Sequence, residues 1–182
     1  IRSMNTYSVD FGIVSNLEGA AFDSELNLIE ESLQVSQIEV NHRTLTLVER
    51  HPERLKGLFW MKPHTEGYSD DVERFLLEHR EHFAGFKAHP YHSKLRITDA
   101  RYRPYLEVAQ ENSFIFVVHT AVDEYSRPRY VYDVARDYPG VNFVMVHMGM
   151  FTDHEDAIGY VRSGRGPYFL EWETYRIEGH YV

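Results

Sequence analysis

Apolar runs beginning near residues 9, 57, 83, 114, 142 and 168, spaced from the second onward by about 26 to 31 residues, predict an α/β fold of repeated strand-helix units. Three of the runs end on a histidine: Phe83-Ala-Gly-Phe-Lys-Ala-His89, Phe114-Ile-Phe-Val-Val-His119 and Val141-Asn-Phe-Val-Met-Val-His147. Nearly unbroken stretches rich in Val, Ile and Phe suit parallel strands covered on both faces, and a polar residue at the end suits a rim that opens to solvent. No glycine-rich phosphate loop follows the early strand, and polar residues end nearly every strand, which favours a (β/α)8-type barrel over an open doubly wound sheet. Such barrels take about 250 residues. A chain of 182 residues therefore predicts an incomplete barrel, about six parallel strands with outer helices, as a single domain over residues 1–182 with N-terminal and C-terminal units missing.

The opening residues 1–7 read as the tail of a helix leading into a strand at 9–15. Residues 16–40 form a long connection in which Leu26, Leu28, Ile29 and Leu33 outline a short helix over the strand ends. Asn41 reads as the cap of a helix with Leu45, Leu47 and Val48 inward, closed near His51-Pro52 because proline disfavours helix in the residue before it. A strand at 57–62 follows, and Ser69 or Asp70 caps the next helix, whose Val72, Phe75, Leu76 and His79 share one face.

In the strand ending at His89, Gly85, Lys87 and His89 share one side and Ala84, Phe86 and Ala88 the other. A Lys and a His facing an apolar helix layer would be costly, so their side is read as the barrel interior. Pro104 and Pro128 each sit where a helix begins. Asn112 is read as a left-handed cap of the first. Val131, Val134, Ala135 and Tyr138 supply the stripe of the second. A helix near 153–161 leads to the sixth strand at 168–173.

The same ordered motifs, Gly85-Phe-Lys-Ala-His89-Pro90, Asp99-Ala-Arg101-Tyr-Arg-Pro104, Val118-His119-Thr120 and Val146-His147-Met-Gly149, resemble the amidohydrolase superfamily, in its amidohydrolase-related branch of metal-dependent hydrolases and decarboxylases. The resemblance spans about residues 7–175. It implies a (β/α)8 barrel with one divalent metal at the C-terminal ends of the strands. It also implies a His-x-His pair on the first strand and an aspartate at the end of the eighth. The first would precede Ile1 and the second would follow Val182.

A strand-end histidine taken alone is most often a core residue bonded to a carbonyl. His119 and His147 lie 28 residues apart, one strand-helix unit, at equivalent strand ends, and are therefore read together. Strand alternation then places Ile115 and Val117 on the interior face with His119, and Phe143 and Met145 on it with His147. The resemblance implies that His119 binds the metal and that His147 acts beside it as the catalytic acid, base or electrostatic stabiliser. Neutral imidazole suits Zn, with Mn, Fe or Ni as alternatives. Lys87 and His89 are read as substrate-binding residues rather than an internal salt link. His64 is a further candidate for lining the site. Asp123 and Glu124 could orient a ligand, and Arg127-Pro-Arg129-Tyr130 could receive a carboxylate, although a solvated surface explains either. Glu171 and Glu173 are expected to be paired or solvated.

The net charge of −9 without basic clusters argues against a nucleic-acid or anionic-membrane partner. No apolar run approaches a membrane span and no signal-peptide pattern opens the chain, so a cytoplasmic location is expected. The absence of cysteine removes disulfides, thiolate ligands and a thiol nucleophile. The expected function is hydrolysis of a C–N or ester bond of a small molecule by metal-activated water, or a related non-oxidative decarboxylation. The alternative is a non-catalytic barrel fragment with structural histidines, whose exposed strand edges would favour homo-oligomers.

Overall fold

A computed structural model of the chain describes residues 1–20, 27, 29–30 and 33–147. Within them β1 (Gly12–Val14), β2 (Leu55–Trp60), β3 (Phe83–Ala88), β4 (Ile115–His119) and β5 (Asn142–Val146) form one sheet. Every pairing is parallel and the strands lie side by side in chain order. Because parallel crossovers are right-handed, a sheet that never reverses its order keeps all its helices on one face, whereas a doubly wound sheet does not. The outcome is a curled half-barrel. The sixth strand expected at 168–173, the helix at 153–161, and Glu171 and Glu173 lie outside the described residues.

The helices are α1 (Arg2–Thr6), α2 (Gln37–Glu49), α3 (Asp70–Glu78), α4 (Pro90–Ser93), α5 (Arg103–Asn112) and α6 (Pro128–Asp137). Among these described helices none is long and apolar enough to cross a membrane. Two expected caps are corrected. Helix α2 is capped by Ser36, whose Oγ accepts from Glu39 N at 3.1 Å, in the spacing of a capping box. Asn41 is instead buried within α2 and binds the backbone of Trp60, donating to its carbonyl at 2.9 Å and accepting from its N–H at 2.7 Å. Strand β1 stops short of this point, so the Asn41 amide serves as the ladder partner on that edge of β2. In α5, Asn112 is still helical, its side-chain amide donating to the Val108 carbonyl at 3.0 Å, and Ser113 takes the left-handed cap (φ 58°).

The two faces of the sheet differ sharply. Phe59, Phe86, Phe116 and Phe143 are register partners across β2 to β5, with successive ring centroids 6.0, 5.7 and 5.7 Å apart. Phe59 meets Phe75 of α3 at 5.7 Å and Phe86 meets Tyr105 of α5 at 5.7 Å, so this row faces the helices. Burying each ring contributes about 1.5–3 kcal/mol. Trp60, Lys87, Val117 and Val144 form the next register row, and alternation turns them to the concave face. Gly85 permits the close pairing of β3 with β4, since a Cβ there would lie 1.9 Å from the Ile115 carbonyl oxygen.

Parity holds for β4, where Ile115, Val117 and His119 alternate with the helix-facing Phe116 and Val118. It fails at β5. Phe143 and Met145, expected inside with His147, belong to the helix-side core. The strand ends at Val146, and His147 has φ 69°, a left-handed turn that breaks the alternation and separates its side chain from that of Met145.

Candidate active site

His119 is the last residue of β4, while His89 and His147 directly follow β3 and β5. Parallel pairing brings these three ends to one rim, and the rings adjoin: His89 stacks on His119 at 3.9 Å and 15°, and His147 meets His119 edge-on at 5.0 Å and 70°. Thr120 ties the last two strands together. Its N–H and its hydroxyl both donate to the Val146 carbonyl, at 3.1 and 2.6 Å, which links the residue after His119 to the residue before His147.

One member of the rim escaped the sequence reading. His92, on α4, stacks on His89 at 3.7 Å and 8°, and Trp60 stands 5.8 Å from His89 and 6.2 Å from His92. The signal was the spacing His89-Pro-Tyr-His92, because residues three apart share one face once Pro90 has started a helical turn. Lys87 lies on the concave side below these rings, buried between Trp60 and Val117 in the register.

Burial, followed by the neighbouring His119, His92, Lys87 and His147, holds the His89 imidazole far below its usual titration range. Burial and then Lys94, Lys87 and His64 lower His92 to about 4. Both rings are therefore neutral at pH 7, the form in which imidazole binds a metal. The buried Nδ1 of His89 has no hydrogen-bond partner among the described residues, so none of them engages this ring nitrogen. In donor chemistry this rim fits a divalent ion. In number it is incomplete, since no group of three or more His, Cys, Asp or Glu among the described residues is placed to hold one.

A second polar cluster also went unread. Lys62, almost fully buried, donates to the Val35 carbonyl at 2.7 Å and lies 3.4 Å from Glu66. Glu66 accepts from Gln37 N at 2.8 and 2.9 Å, and the Gln37 Oε1 accepts from Lys62 N and from the Tyr105 hydroxyl at 2.7 and 2.9 Å. This network fastens the chain before α2 to the end of β2. Of the remaining candidates, Asp123 and Glu124 have ordinary partners. Asp123 accepts from Tyr125 N and Ser126 N, and Glu124 pairs with Arg96 at 3.3 Å. Arg127, Arg129 and Tyr130 line a surface cavity of about 430 Å³ together with Arg96, Glu124 and Asp133.

A family model described as amidohydrolase matches residues 20–171. No curated protein sequence matches the chain. Among solved structures, an uncharacterized TIM-barrel protein from Bordetella bronchiseptica is similar at TM-score 0.60 and 12% identity, over 88% of this chain and 54% of that one. The 4-oxalomesaconate hydratase of Rhodopseudomonas palustris follows at 0.59 and 18%, over 91% and 52%. A 5-carboxyvanillate decarboxylase from Novosphingobium aromaticivorans, with bound manganese and 3-methoxy-4-hydroxy-5-nitrobenzoic acid, is similar at 0.58 and 15%, over 91% and 55%. The chain thus spans about half the length of these structures, and at such identities the likeness establishes the fold.

Proposed function

Since the chain belongs to the amidohydrolase family, we propose that its rim histidines serve a metal-dependent hydrolase or non-oxidative decarboxylase acting on a small molecule. The observation that carries this reading is the meeting of His119 and His147 at the C-terminal ends of adjacent parallel strands. His119 would hold one divalent ion, Zn by preference and Mn, Fe or Ni otherwise, with further ligands from outside the described residues. Such an ion supplies a Lewis acid that polarises a carbonyl or carboxylate oxygen.

The protein's own groups handle protons and position. In hydrolysis, His147 takes a proton from water as its oxygen bonds to the scissile carbon, then returns a proton to the leaving nitrogen or oxygen as that bond breaks. In decarboxylation, the bond to the carboxylate carbon breaks, CO₂ departs, and the remaining carbon receives a proton from an acid at the rim. Lys87, buried on the concave side, would bind an anionic or carbonyl oxygen of the substrate, and His89 would line the same place.

The test uses the full chain with amide, ester and aromatic carboxylate substrates, before and after chelation and after restoring Zn²⁺ or Mn²⁺. The expected result is activity toward one class that is lost on chelation and regained with metal. His119→Ala should then lose metal and activity together, whereas His147→Ala should lower turnover by about 10²-fold or more with metal retained. Activity indifferent to chelation, or to both substitutions, would overturn the proposal.

A further inference from the structure

We propose that His92 is a positioning residue which, stacked on His89 as His89 is stacked on His119, fixes the plane of the His119 imidazole. The inference rests on the reading of His119 as the metal-holding residue. The three rings form a nearly parallel column, 3.7 Å at 8° and then 3.9 Å at 15°, and Trp60 flanks the first two. At such separations the faces are in van der Waals contact, so no ring can swing without displacing its neighbour. His147 approaches His119 edge-on, and His119 is therefore confined by ring contacts with both neighbours.

An imidazole beside a metal is usually oriented by a hydrogen bond to its second nitrogen. His89, the middle ring, makes no such bond at its buried Nδ1 among the described residues, while it is stacked between the rings of His92 and His119. The outer ring needs a firm seat for this to work. Helix α4 provides one: Pro90 begins it, Ser93 N donates to the His89 carbonyl at 3.1 Å, and Lys94 closes it in the left-handed conformation (φ 51°). The Ser93 hydroxyl also bonds the hydroxyl of fully buried Tyr102 at 2.8 Å. His92 thus sits on an anchored turn, with its ring face supporting the column.

The discriminating pair is His92→Phe, which keeps a flat face, against His92→Leu, which keeps bulk without one. Zn²⁺ affinity of the full chain is read by competition with a chromophoric chelator, and the His119 ring-proton resonances are followed by NMR in the metal-free protein. The expected result is Zn²⁺ binding about tenfold weaker in the Leu variant, in line with the cost of losing an orienting partner, and within about twofold of the parent in the Phe variant. The His119 resonances should shift in the Leu variant alone. Equal affinities and unshifted resonances in both variants would overturn the clamp, as would a raised KM with Zn²⁺ affinity intact, which would make His92 a substrate contact. His119→Ala serves as the reference: if it leaves Zn²⁺ affinity unchanged, the metal reading itself falls and the clamp with it, whereas loss there with none in His92→Leu overturns the clamp alone.

Discussion

On its helix side the sheet carries Phe59, Phe86, Phe116 and Phe143 in one register row, and one residue further along each strand its concave side carries Trp60, Lys87, Val117 and Val144. The first row is continuous with the aromatic and aliphatic core contributed by α3, α5 and α6. The second leads toward the rim where His89, His119 and His147 meet. Strand alternation thus gives the packed core to one side of the backbone and, on the proposed function, the chemistry to the other, so that neighbouring residues should respond very differently to substitution.

The largest expected contrast is between Phe86 and Lys87. Phe86→Ala should destabilise the fold by about 3–5 kcal/mol, since the ring is fully buried among Phe59, Tyr105 and Phe116. Lys87→Met should cost clearly less stability and depress activity instead. Denaturant unfolding beside turnover measures both, and a Lys87 variant as unstable as the Phe86 variant would erase the distinction between the faces.

A smaller effect is expected where the sheet edge is completed by a side chain. Asn41→Ala strips the Trp60 N–H and carbonyl of their partners and should cost about 1–3 kcal/mol, whereas Ser36→Ala removes only a helix cap and should cost about 1 kcal/mol. Equal costs in thermal unfolding would show that Asn41 acts as an ordinary helix residue.

The least effect is expected at Asp99, which caps the turn leading into α5. Its side-chain bond from Arg101, aided by the Arg101 N–H, lowers this carboxyl to about 2, below its ordinary value of 3.8. A depressed folded-state pKa means that the contribution is present above about pH 4 and is lost as pH falls toward 2. Asp99→Asn should therefore flatten the acid limb of the stability curve slightly and leave the neutral region nearly unchanged.

How much of this was legible in the residues depends on how local the cause was. The strand runs, the two prolines that open α5 and α6, and the histidine-ended strands follow from period and backbone restriction, which act within a few residues. Asn41 was misread because Ser36 and Asn41 are both good caps, and only the distant Trp60 backbone decides between them. The inward parity of Phe143 and Met145 was misjudged because the positive φ of His147 leaves no mark in a run of apolar letters. Lys62 was hidden for the same kind of reason: its partners Val35 and Glu66 come from opposite sides of it in the chain. His92 differs, since its spacing from His89 was open to view and lacked only the knowledge that α4 forms.

The claim at the centre is that the ends of β4 and β5 build one metal-serving site. Anomalous diffraction at the metal edge, from crystals of the full chain grown with Zn²⁺, tests it most directly. The account predicts an ion about 2.0–2.1 Å from a ring nitrogen of His119, with the His147 imidazole on the same side of the sheet. An ion bound elsewhere, or His119 and His147 on opposite faces, would contradict it.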